Sequence, residues 1–309
     1  MARMRQLIGL VRLILKCCAY ILLCLLVTLI QWPILQITKG RLSYYVPQLY
    51  HRLTCWMAGL KVHIQGTPIT DTDKHVLFIS NHISYLDIPA LGYFLRASFV
   101  AKKDIRDWPV YGFLGSLQQT AYISRAKTDV AKETHSLQTM LDDEDKNLIV
   151  FPEGTSSDGS GVLPFKSSLF ALPLASQDKD NLLIQPITIR IESVDGKALT
   201  HHLSQDEAQA LRDLYAWYGE MELIPHLPDF FKLSGAEITL IFHDPIAVKD
   251  YDDRKTLAQK CHNIVENGLT RDPETGKTGT SNDNASRYNT NDSLNHDKSR
   301  TESPTHANL

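Results

Sequence analysis

The chain has 309 residues, 43% of them hydrophobic and 22% charged, which is enough for a packed core, and its formal net charge of -3 says nothing of partners. The five cysteines, Cys17, Cys18, Cys24, Cys55 and Cys261, contain no CxxC pair, so neither a disulfide framework nor a zinc site is indicated. The distribution of charge is more informative than its sum. No Asp or Glu precedes Asp71, whereas Arg3, Arg5, Arg12, Lys16, Lys39, Arg41, Arg52 and Lys61 all fall in that stretch. A basic, apolar N-terminal quarter suits a surface of anionic lipid.

The first element in chain order is CCAYILLCLLVTLIQWPILQIT, Cys17 to Thr38, 22 residues without a charge. As a helix it spans roughly 33 Å, about one bilayer core. Gln31, Pro33 and Gln36 weaken its second half. No small-residue cleavage site follows, which argues against a cleaved signal peptide. Over residues 43–60, Tyr45, Leu49, Leu53, Trp56 and Leu60 recur at helical steps, with His51 and Arg52 off the stripe. That pattern predicts an interfacial amphipathic helix. Basic residues flank the first helix on both sides, and a hairpin with both ends cytoplasmic satisfies both flanks.

Residues 1–59 are therefore expected to form a membrane helix plus an amphipathic helix, and residues 60–269 a globular domain. Within that domain KVHIQG, HVLFIS, ASFVAKK, TAYISR, NLIVFPEG, LLIQPITIRIES and AEITLIFHDPI read as strands, rich in β-branched and apolar residues. Helical stretches are expected near Asp87–Leu95, Tyr111–Leu117, Asp129–Leu141 and Arg254–Asn267. Strands alternating with helices predict an α/β fold with a mixed, largely parallel sheet flanked by helices. Residues 270–309 are polar and nearly free of apolar side chains, and read as a disordered tail.

Three segments carry candidate chemistry. FISNHISYLD, residues 78–87, sets Asn81 and His82 after a strand, with Asp87 in the first turn of a helix. A carboxylate there can hold one imidazole nitrogen and leave the other to take a proton from a hydroxyl. Asp87 can equally complete a capping box with Ser84. IVFPEGTSSDG, residues 149–159, delivers Glu153, Gly154 and Thr155 at a strand end, where α/β folds bind ligands. Arg125 and Lys166 lie beside strands or turns, where cations suit a phosphate or carboxylate head group, or simply face solvent.

Together these segments resemble the glycerolipid acyltransferase family typified by 1-acyl-sn-glycerol-3-phosphate acyltransferase. The family's N-H-x-x-x-x-D block is matched by Asn81, His82 and Asp87. The Arg of its second block is matched by Arg125, and F-P-E-G-T-R-S by Phe151 to Ser157. Its apolar fourth block is matched by IQPITI around Pro186. The resemblance implies that His82 is the general base and that Asp87 orients it, in direct transfer without an acyl-enzyme. It places Arg125, Glu153, Gly154 and Thr155 at the acceptor, with Asn81 and Lys166 as further substrate-binding candidates. It implies acyl-CoA or acyl carrier protein as donor and membrane lipids as partners. It implies no metal, bound cofactor or nucleic acid, and an inner-membrane enzyme with its catalytic domain on the cytoplasmic face.

Two departures bear on the acceptor. Ser156 stands where the third block has Arg, and Ser124 where the second often has an acidic or amide residue. Lysophosphatidate ranks first as acceptor and lyso-ornithine lipid close behind, since an amino-lipid head needs fewer cations. A non-catalytic lipid-binding module and a transacylase on the same fold compete with these. A serine hydrolase is poorly supported, because no G-x-S-x-G elbow is present. His201 and His202 read as a solvated loop. Trp217, Tyr218 and Met221 read as core.

Overall fold

The computed structural model describes residues 2–38, 41–70, 75–123, 138–141, 146–200 and 202–270. Residues 271–309 of the expected polar tail, residues 129–137 of the expected helix, Ser124, Arg125 and His201 lie outside them. One sheet contains β1 (Leu60–Gln65), β2 (His75–Ser80), β3 (Ser98–Lys102), β4 (Ala121–Ile123), β5 (Leu148–Val150) and β6 (Leu182–Val194), with β7 (Lys197–Ala198), β8 (Ala236–Phe242) and β9 (Ile246–Ala247). Its order is β1-β8-β6-β2-β5-β3-β4, with β7 and β9 paired to β6. The pairs β1/β8, β2/β6, β2/β5, β3/β5 and β3/β4 are parallel; β6 pairs antiparallel with β7, β8 and β9. The sheet is mixed and largely parallel, as expected from the alternating pattern.

HVLFIS shows no in-out alternation because β2 is central, covered on both faces and buried along its whole length. Val76 and Phe78 join one core layer with Ile187, Ile189, Ile238 and Leu240. Leu77 and Ile79 point into the other, with Ile184, Leu257 and Cys261. Pro186 sits inside β6, a position from which proline is usually excluded. Its carbonyl accepts from His243 N–H at 3.0 Å. Its ring nitrogen therefore faces the same edge and cannot return the bond to His243 O, which instead accepts from Gln185 Nε2 at 3.1 Å.

The helices of eight residues or more among the described residues are α1 (Ala2–Ile37), α2 (Tyr45–Ala58), α3 (Asp87–Phe94), α4 (Pro109–Leu117), α5 (Gln205–Arg212), α6 (Leu223–Lys232) and α7 (Arg254–Thr270). Met1–Leu269 form one compact unit. The reason lies in three polar side chains of α1. Lys16 Nζ donates to Ala58 O at 3.0 Å and Leu233 O at 3.1 Å, at the C-terminal ends of α2 and α6, where a cation is favoured. The Tyr20 and Tyr50 hydroxyls bond at 2.5 Å. Gln31 Nε2 donates to Ser43 O at 2.8 Å and Leu117 O at 3.0 Å. Gln31 and Pro33, expected to weaken the helix, lie within it. The other face of α1, including Leu7, Ile14, Leu22, Leu25 and Leu29, is exposed. Gln6–Ile37 is long and apolar enough to cross a membrane by length and composition.

In α2 the predicted stripe of Tyr45, Leu49, Leu53 and Trp56 faces outward, while Tyr50, His51, Cys55 and Ala58 are buried. His51 packs on α3 where Gly92 lies; a Cβ at Gly92 would fall on the His51 ring.

Candidate active site

β2 and β5 are parallel neighbours, with Leu77 opposite Leu148 and Ile79 opposite Val150. The two chains therefore leave the sheet at the same carboxyl end, one as Asn81-His82 and the other as Phe151-Pro152-Glu153. This is the end where open parallel sheets place their ligand sites. Asn81 is buried, and its amide continues the ladder by side chain. Nδ2 donates to Ile189 O at 3.0 Å and Oδ1 accepts from Ile189 N at 2.7 Å. Both ends of the amide, expected at the substrate, are engaged on β6.

Glu153 is held by backbone in the same way. It is buried, with Oε1 accepting from His82 N at 2.8 Å and Oε2 from Leu163 N at 3.0 Å. Ser157 N donates to His82 O at 2.8 Å. The FPEGTSS turn thus grips the backbone of His82 on both sides. Burial pushes the Glu153 carboxyl up to about 8; the charge of Asp87 adds to this and the two backbone donors oppose it.

The His82 side chain is held independently. Its Nδ1 lies 2.9 Å from Asp87 Oδ2. The same oxygen accepts from Ile83 N at 2.6 Å and Ser84 N at 2.9 Å. The bond from Ser84 N is half of the capping box weighed from sequence, so one carboxylate serves both the turn and the imidazole. α3 begins at Asp87 rather than at Ser84. A carboxylate only accepts, so Nδ1 carries the proton and Nε2 is left as the basic nitrogen. Phe151 stacks on the imidazole, with ring centroids 4.1 Å apart.

His82 opens on a cavity of about 220 Å³, lined also by Tyr85, Phe99, Trp108, Leu114, Trp217 and Phe231. Trp217, expected as core, thus borders the cavity; its backbone N–H donates to Ile83 O at 2.9 Å. Beside His82, Gly154 has φ +68°, which favours glycine. Lys166 Nζ lies over Gly154, where any side chain would meet it. Thr155 and Lys166 are exposed on this turn. Ser156 Oγ donates to Trp217 O.

The structure brings together His82, Asp87, Asn81, Glu153, Gly154, Thr155 and Lys166. It adds Tyr215, whose hydroxyl donates to Asp87 Oδ1 at 3.0 Å from 128 residues away. No local pattern marks that tyrosine.

A strand-end histidine with its inner nitrogen on a buried carboxylate and its outer nitrogen toward an apolar cavity is equipped to take a proton from a hydroxyl bound there. The family model described as Acyltransferase matches residues 61–190. The chain is 31% identical over 262 residues to the lyso-ornithine lipid O-acyltransferase of Brucella abortus (strain 2308), covering 84% of this chain and 94% of that protein. It belongs to the acyltransferase family and is an acyltransferase. It is also 35% identical over 116 residues to the 1-acyl-sn-glycerol-3-phosphate acyltransferase of Neisseria gonorrhoeae, covering 37% of this chain and 45% of that one. The fold matches the crystal structure of the 1-acyl-sn-glycerophosphate (LPA) acyltransferase from Thermotoga maritima. The TM-score is 0.59 at 17% identity, with 87% of this chain and 96% of that one covered.

Proposed function

We propose that the protein is a membrane-bound O-acyltransferase that moves a fatty acyl chain from acyl-CoA or acyl carrier protein to a lysolipid hydroxyl. His82 Nε2 takes the hydroxyl proton as the oxygen attacks the thioester carbonyl. The tetrahedral adduct collapses, and the C–S bond breaks. The departing sulfur takes the proton from the imidazolium, leaving an ester and a free thiol. Asp87 holds the tautomer and balances the imidazolium charge. The reaction so written calls on no cofactor beyond the acyl donor. The observation that carries this reading is the His82–Asp87 pair at the mouth of an apolar cavity.

Lyso-ornithine lipid is the acceptor we favour, which reverses the order that sequence alone suggested. The hydroxyl of Ser156, at the position of the family's Arg, is spent on Trp217 O, so that position offers no cation. The Brucella relative aligned over 94% of its length is named for that lipid. Lysophosphatidate is the second reading, favoured by Lys166 over Gly154, which can supply one cation. The apolar outer face of α1 and the outward stripe of α2 support attachment to the membrane through that side. Our reading of location is the inner membrane, with the site on the cytoplasmic face.

Purified protein with acyl-CoA and each lysolipid, followed by thiol release and product mass, tests the reading. Thiol release should require a lysolipid and should vanish in His82→Ala. Release that persists unchanged in His82→Ala overturns the mechanism, and ester formed only on lysophosphatidate overturns the choice of acceptor.

A further inference from the structure

The buried carboxylate of Asp87 is not symmetric. Oδ2 takes three donors, from His82 Nδ1, Ile83 N and Ser84 N. Oδ1 takes the hydroxyl of Tyr215 at 3.0 Å. Asp87 and Tyr215 are both fully buried. Tyr215 follows α5, outside the matched residues 61–190. It is fixed by its own N–H to Arg212 O at 2.8 Å, by Trp217 N–H to Ile83 O at 2.9 Å, and edge-on by Phe230 with centroids 6.3 Å apart.

We propose that Tyr215 is a positioning residue of the acyl-transfer centre, its hydroxyl holding Asp87 Oδ1 and so setting how tightly the His82–Asp87 pair keeps a proton. The proposal rests on His82 being the base. A buried tyrosine hydroxyl needs some partner, and a peptide carbonyl would satisfy packing alone. Here the partner is the one carboxylate that faces the base. A hydrogen bond to an ionised acceptor spreads its charge and lowers its basicity, and in a dry site that effect is large. The titratable groups bearing on the pair are Glu153, which faces Asp87, and Tyr85 and Cys55, which flank Tyr215. Burial pushes the Cys55 thiol up to about 12 and the Tyr85 phenol well above its ordinary value. Both are neutral across the working range. Burial and the charge of Asp87 likewise raise the Tyr215 phenol, which remains a donor throughout.

Without the hydroxyl, the carboxylate becomes more basic and the pair holds its proton more tightly. The acid limb of the kcat/KM profile must then move to higher pH. The experiment uses the full chain with acyl-CoA and its best lysolipid, comparing Tyr215→Phe, 3-fluorotyrosine at position 215, and His82→Ala. Tyr215→Phe should move the acid limb up by about one pH unit and lower kcat roughly tenfold, with KM little changed. Fluorotyrosine, a stronger donor of nearly the same shape, should move the limb the other way, and it supplies the test should the Phe variant not fold. An unmoved acid limb in the folded Phe variant, or in the fluorotyrosine protein, overturns the role of Tyr215 while His82→Ala is inactive. An active His82→Ala overturns the underlying reading instead.

Discussion

Phe151 lies nearly parallel to the His82 imidazole, with centroids 4.1 Å apart and planes 17° apart. The stacked ring comes from the FPEG turn, which also holds the His82 backbone, so one loop fixes both the place and the plane of the base. Asp87 fixes only one nitrogen, and the ring could still tilt about that bond.

Phe151→Leu keeps an apolar side chain but removes the flat wall. It should lower kcat about tenfold, some 1.4 kcal/mol, with a smaller change in KM, because the base samples non-productive orientations. Steady-state kinetics check this; a change confined to KM would assign Phe151 to substrate binding instead.

Asp87→Asn tests the electrostatic role. The amide oxygen can still accept from Ile83 and Ser84 N–H, so the turn should hold. The same oxygen still accepts from His82 Nδ1–H, but the imidazole loses its counter-charge. kcat should fall by roughly 10³- to 10⁴-fold while the circular dichroism spectrum is unchanged. Activity within tenfold of wild type would remove Asp87 from the mechanism.

Much of this arrangement was readable in the sequence because it is local. β2 and β5 are apolar runs, and His82 and Asp87 are five residues apart. Tyr215 was hidden because its bond spans 128 residues, and only the packing of the segment after α5 brings it to Asp87. The backbone partners of Asn81 and Glu153 were hidden because a polar residue in a motif reads alike whether it faces a ligand or a backbone. The inward and outward sides of α1 were equally hidden, since Lys16, Tyr20 and Gln31 gain their partners from other elements. α5 was open to detection: Ser204 and Glu207 form a capping box in the S-x-x-E pattern.

Glu153 gives a dependence on pH. Its carboxyl is pushed by burial from an ordinary 4.5 up to about 8. Below the unfolded value both states are protonated. Between the two values the unfolded chain releases its proton and the native chain retains it, so unfolding free energy falls as pH rises. The slope reaches about 1.4 kcal/mol per pH unit and ends above the folded value. Glu153→Gln should start less stable at pH 5, because its NH₂ meets a backbone N–H, and should lose less stability by pH 8. Denaturant unfolding in detergent at several pH values checks this; curves of equal slope for both proteins would contradict the assignment.

Gly92 tests the junction that seats α2, and with it α1, against the catalytic domain. A Cβ there would overlap the imidazole of His51, which is buried and cannot swing into solvent. α2 and α3 must separate to admit it. Gly92→Ala should therefore destabilise the protein by about 2 kcal/mol, although alanine is the better helix former by nearly 1 kcal/mol. Gly92→Ala with His51→Ala should recover most of the overlap cost, because the small residue leaves room for the new methyl. Thermal unfolding of the four proteins in this cycle separates the two effects. Equal destabilisation by Gly92→Ala with and without His51 would mean that the close approach of the two helices does not limit the packing.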